Sequence, residues 1–119
     1  MNKKYFMEKD PKKDPKIFLG HILESIAEIE KNTKKKTKEK FFNSVTIQDA
    51  VVRRLEIIGE AVKNLPSSLK RKHPDISWKN IAGTRDVLIH EYFGVDLDIV
   101  WDVVKNDIPK LKKQIKELL

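Results

Sequence analysis

Three chemically capable side chains stand close together in one stretch of the chain, Arg85-Asp86-Val87-Leu88-Ile89-His90-Glu91-Tyr92. Metal-free cleavage of RNA needs a group to take the 2′-hydroxyl proton, a group to protonate the leaving oxygen, and a cation for the charge that builds on phosphorus. Histidine titrates near neutrality and can carry both proton transfers. Arginine stays charged and offers a planar fork matched to phosphate oxygens. Tyrosine can stack on a base, donate to phosphate or accept a covalent group on its hydroxyl. Arg85 and His90 are therefore the candidate catalytic pair, with Tyr92 as the candidate RNA-contacting residue and Asp86 in a supporting place.

Helical geometry limits how these groups can meet. On a regular helix Arg85 and Tyr92 are seven apart and share a face, offset by about 20°. His90 lies about 140° around from Arg85 and roughly 7.5 Å along the axis. The reach of arginine, a distortion of the helix near Gly94, or a twofold dimer that doubles the segment in one groove could each close that gap; the dimer is favoured because a thin bundle has little concavity for RNA. The plainer reading is that Arg85 pairs with Asp86, Glu91 or Asp96 on an ordinary surface. His21 and His73 have no matching partners and read as a helix-surface and a loop residue. Three histidines without paired-ligand spacing, in a chain with no cysteine, give no metal site. Ile81-Ala82-Gly83-Thr84 lacks the glycines and lysine of a phosphate loop.

The elements that must hold these residues are helical, since apolar residues recur at spacings of three and four and glycine is rare. Asp14-Pro15 predicts a helix start, with Phe18, Leu19, Ile22, Leu23, Ile26 and Ile29 facing a core over 15–31. Residues 32–40 carry no apolar side chain and are expected to form an exposed connection. A second helix is expected from Ser44 or Thr46 to Leu65, stopped by Pro66, with at most one short helix over 67–77. A third, capped by Asp75 or Ser77, carries Trp78, Ile81, Val87 and Leu88 and should stop near Gly94. Asp96 can cap the last helix, which Pro109 should kink. Trp78 and Trp101 read as core or dimer-interface anchors. The fold class is all-α, a four-to-five-helix antiparallel bundle.

Length and composition set the outer bounds. The 119 residues are expected to form one domain, 1–119, with one core. The N-terminal residues lack the apolar run of a secretory signal, and no stretch is long and apolar enough for a bilayer. The expected location is cytoplasmic, with no membrane partner. Twenty-five Lys and Arg against 18 Asp and Glu give a net charge of +7, which would attract a polyanion such as RNA but serves solubility equally well.

The surroundings of the arginine, histidine and tyrosine carry a resemblance. The segment resembles the HepT-like toxins of the HEPN superfamily, whose mark is arginine, four to six residues, histidine, any residue, tyrosine. RLEIIGEAVKNLP from Arg54 and SWKNIAGTRDVLIHEYFGVDLDIVWDVVKNDIPKL from Ser77 resemble that family's second helix and its helix-motif-helix block. The likeness covers most of the chain from Ile17 onward. The position after the arginine is usually polar in the family, often asparagine; here it is Asp86. The resemblance implies a homodimeric, metal-independent endoribonuclease that needs no cofactor of its own and acts as the toxin of a toxin–antitoxin pair. It implies a nucleotidyltransferase antitoxin that uses ATP and magnesium to transfer AMP onto Tyr92, which would block and repel RNA. Two other readings remain open: a non-catalytic helical partner that presents substrate to a nucleotidyltransferase, and a plain nucleic-acid-binding module.

Overall fold

The start of the first helix follows from two residues. The Asp14 carboxylate accepts from the Lys16 backbone N–H at 2.9 Å, and Pro15 follows at the first helical position, where its missing N–H costs nothing. The computed structural model describes residues 14–90 and 96–119, and the side chains of these except at 85–90. Helix α1 spans Pro15–Thr33, two residues beyond the expected end. The Thr33 hydroxyl donates to the Ile29 carbonyl at 2.8 Å and the Asn32 amide to the Glu28 carbonyl at 2.8 Å, so both polar side chains satisfy their donors within the helix. Phe18, Leu19, Ile22, Ile26 and Ile29 are buried as one stripe.

The connection expected over 32–40 is exposed along most of its length, but it is not all loop. The link shrinks to residues 34–37, with Lys35 in the left-handed region at φ 62°, and a short helix α2 follows at Lys38–Phe42. Thr37 caps α2 by accepting from the Lys40 N–H at 3.1 Å. Phe41, just past the charged run, is wholly buried, its ring centroid 5.2 Å from that of Trp101. An N-cap and one buried aromatic anchor suffice to fold a segment whose other residues are mostly charged.

Ser44 caps α3, Val45–Asn64, by accepting from Ile47 N–H at 3.2 Å. The Gln48 amide donates to the carbonyls of Phe41 and Phe42, both at 3.0 Å, and closes the corner between α2 and α3. Val51, Leu55, Ile58, Ala61 and Val62 are buried on α3, as is Leu65 at its end, ahead of Pro66. One short helix, α4 at Ser67–Lys72, precedes α5 at Trp78–His90. The expected stop near Gly94 lies outside the described residues.

Asp96 caps the final helical run, accepting from Asp98 N–H at 2.9 Å and Ile99 N–H at 3.4 Å. Helix α6, Leu97–Asp102, passes into a π-helical turn, Val103–Asp107, and then into α7, Ile108–Leu118. Pro109 perturbs the run as expected, but through the turn before it. The Ile108 N–H bonds the Val103 carbonyl, five residues back, which widens the turn where a proline ring would meet the Lys105 carbonyl.

Helix α3 is central, packed along α1 on one side and α5 on the other. Helix α7 returns against α1, where Lys112 Nζ meets Glu30 at 3.0 Å, and α2 lies between α3 and α6. The buried side chains form one cluster drawn from α1, α2, α3, α5, α6 and α7 together with Leu65 and Ile76. No strand occurs among the described residues, so the expected all-α bundle is what the chain forms. No described helix is long and apolar enough to cross a membrane.

Candidate functional site

Helix α5 is fixed at its first turn. Trp78 is buried, and its indole N–H donates to the His73 carbonyl at 3.0 Å. The Trp78 backbone N–H donates to Ile76 at 2.8 Å, and Ser77 accepts from Ile81 N–H at 3.0 Å. His73 thus contributes its backbone, in keeping with its reading as a loop residue, while His21 is exposed on α1. Trp78 takes the core role expected of it, and Trp101 is half-buried with Lys105 Nζ 4.6 Å above its ring.

Positions 85, 86 and 90 lie on the last turns of α5, which is unbroken helix from Trp78 to His90. No change of helix type therefore brings position 90 round to position 85, and the separation of about 140° stands along this one backbone. Position 85 follows Trp78 by seven and Ile81 by four along α5. Position 90 follows Lys79 by eleven and Gly83 by seven, and Lys79 is exposed. The side chains of Arg85, Asp86 and His90, and Tyr92 as a whole, lie outside the described residues.

One cleft opens along the side of α5 that leads to position 85. Ser77, Asn80, Ile81 and Thr84 form one wall, Thr84 being the chain neighbour of Arg85. Leu55 and Ile58 of α3 and Ile108 and Leu111 of α7 give a buried apolar floor, and Asp107, Lys110 and Gln114 stand on the opposite rim. Its volume is about 180 Å³. The sequence points to Ser77 as a cap and Ile81 as a core residue but not to a shared cleft; the one hint of it is the spacing of Ser77, Asn80, Ile81 and Thr84 on one helical face. A second, more open groove between α1 and α3 is lined by Phe18, His21, Arg53, Glu56, Glu60 and Asn64 among others. Among the described residues no three His, Asp or Glu side chains come together as metal ligands.

The family model described as "Ribonuclease HepT-like" matches residues 22–118, nearly the whole described structure. The chain belongs to the HepT-like family. A "Gamma-glutamylcyclotransferase and putative RNase" of Methanocaldococcus jannaschii is 57% identical over 108 residues, covering 91% of this chain and 49% of that protein. The chain thus spans about half the length of that relative. A "Putative RNase" of Caldanaerobacter subterraneus is 48% identical over 107 residues, covering 90% of this chain and 96% of that one. The "Probable ribonuclease HepT" of Thermococcus cleftensis is also 48% identical over 107 residues, covering 90% and 97%. No solved structure matches the chain. For a HepT-like chain, the motif falls where α5 ends and the approach to α6 begins.

Proposed function

We propose that this HepT-like chain is a metal-independent endoribonuclease, the toxin of a toxin–antitoxin pair, working as a homodimer. The observation that carries the reading is the match to the ribonuclease family across residues 22–118, a span that includes Arg85, His90 and Tyr92. Arg85 binds the scissile phosphate and stabilises the charge that develops there. His90 transfers the proton between the 2′-hydroxyl and the leaving oxygen. The regular helix from Trp78 to His90 favours the dimer among the ways of bringing the two groups to one phosphodiester, because a second copy supplies what one straight helix separates. Tyr92 positions RNA and is the acceptor for AMP from a nucleotidyltransferase antitoxin, which draws on ATP and magnesium. Bulk and negative phosphate added there repel the substrate. Asp86 supports the arginine.

The test is cleavage of RNA at low salt in EDTA by the purified chain, beside Arg85→Ala and His90→Ala. Wild type cleaves and the two variants lose at least about a hundredfold, the contribution of one positioned acid–base or electrostatic group. Equal cleavage by wild type and His90→Ala refutes the assignment. Expression that slows growth in wild type but not in His90→Ala separates a toxin from a non-catalytic partner.

A further inference from the structure

The cleft beside α5 has the build of a site for one small planar ring. Its floor of Leu55, Ile58, Ile108 and Leu111 is buried, and Ile81 forms part of the wall. An apolar cavity of about 150 Å³ holds a benzene ring, so the 180 Å³ here takes one six-membered ring with its exocyclic atoms. The rim is polar on both sides: Asn80 and Thr84 from α5, Asp107, Lys110 and Gln114 from the π turn and α7. Thr84 already donates to the Asn80 carbonyl at 3.0 Å and Gln114 to the Asp75 carbonyl at 3.3 Å. The Asn80 amide, the Asp107 carboxylate and the Lys110 ammonium make no hydrogen bond or ion pair among the described residues, so they remain available to a ligand edge. The π turn itself supplies Val103 and Asp107 to the lining, and turns of this kind recur at functional sites.

We infer that this cleft seats one pyrimidine base of the RNA substrate, the base adjoining the phosphate held at Arg85, and so sets base preference. The inference rests on the ribonuclease reading and adds the subsite. An amide can present its carbonyl or its NH₂, so Asn80 pairs with the hydrogen-bonding edge of either cytosine or uracil. Lys110 donates to a ring carbonyl, and Asp107 accepts from an exocyclic amine or ring N–H. The cleft is open on one side, so a purine's second ring would extend past the apolar floor and leave apolar surface in water.

The experiment is a titration of the ¹⁵N-labelled chain with uridine, cytidine, adenosine and guanosine monophosphates, following backbone amide shifts. The pyrimidine nucleotides shift Asn80, Thr84, Lys110 and Gln114 in a saturable way and bind more tightly than the purine pair. Asn80→Leu, at an exposed position and close to asparagine in size, weakens pyrimidine binding by up to about tenfold, one hydrogen bond's worth, with the thermal midpoint unchanged. Lys110→Gln gives a second, independent loss. Equal response to all four nucleotides, tighter binding of adenosine monophosphate, or shifts confined to other residues overturns the inference. So does an altered oligomeric state of Asn80→Leu with nucleotide binding intact, which makes the cleft a contact between copies. Nucleotide binding without any RNA cleavage sinks the catalytic reading and leaves the base site standing. Cleavage with no pyrimidine shifts does the reverse.

Discussion

Phe41→Ala gives the sharpest test of how the basic segment is held. The ring is wholly buried, lies 5.2 Å from Trp101 at an interplanar angle of 34°, and is the one buried side chain of α2. Truncating a buried phenylalanine costs about 3–5 kcal/mol, of which roughly 0.5–1.5 belongs to an aromatic pair beyond its buried area. A domain of this size has a net stability on the order of 5–15 kcal/mol. The variant therefore forfeits a large share of the total. Urea unfolding followed by circular dichroism should show the midpoint fall by about 2–3 M with an unchanged slope, taking a slope near 1.5 kcal/mol per M. Phe42→Ala is the internal control: its ring is 37% exposed, with Lys38 Nζ 5.7 Å from its centroid, and its loss should cost no more than about 1 kcal/mol. If Phe41→Ala costs no more than Phe42→Ala, α2 is not anchored as argued, and the account of how residues 34–42 fold is wrong.

Asp96→Ala removes the cap of α6 and leaves two backbone N–H groups without their acceptor, which should lower stability by about 1 kcal/mol in the same unfolding assay. Ser25 is fully buried and its hydroxyl has no partner among the described residues, so Ser25→Ala should raise the thermal midpoint or leave it level; a clear drop would reveal a further bond. Lys35→Gly relieves a left-handed backbone at φ 62° and should stabilise by up to about 1 kcal/mol, offset in part by glycine's freedom in the unfolded chain.

The parts of the fold that were legible in the sequence are those where one local rule decides. The stripes of α1 and α3 follow the three-and-four spacing of Ile22, Ile26 and Ile29 and of Val51, Leu55, Ile58 and Val62, and Asp14, Ser44 and Asp96 cap as their residue types suggest. Helix α2 escaped notice because its burial depends on Trp101, sixty residues onward, rather than on any pattern within 38–42. Residue type and spacing single out Arg85, His90 and Tyr92, and the family match spans them without marking which residues act. The cleft was invisible for the opposite reason: Leu55, Asn80, Asp107 and Gln114 belong to different elements, and only folding brings them to one wall and rim.

The π turn has a bearing on how chains of this kind can vary in length. Val100, Val104 and Ile108 are all buried although two successive steps of four would carry an ordinary helix about 80° off its stripe. The wider turn absorbs that drift. Removing one exposed residue within it, such as Lys105, would change the steps from Val100 to Ile115 from four, four, three and four to four, three, three and four, which a plain α-helix accommodates. The exposed residues of the turn, such as Lys105, are thus a seam where a single codon can be lost without re-aiming the helix that follows, while the same deletion at Val104 or Ile108 would remove a core side chain.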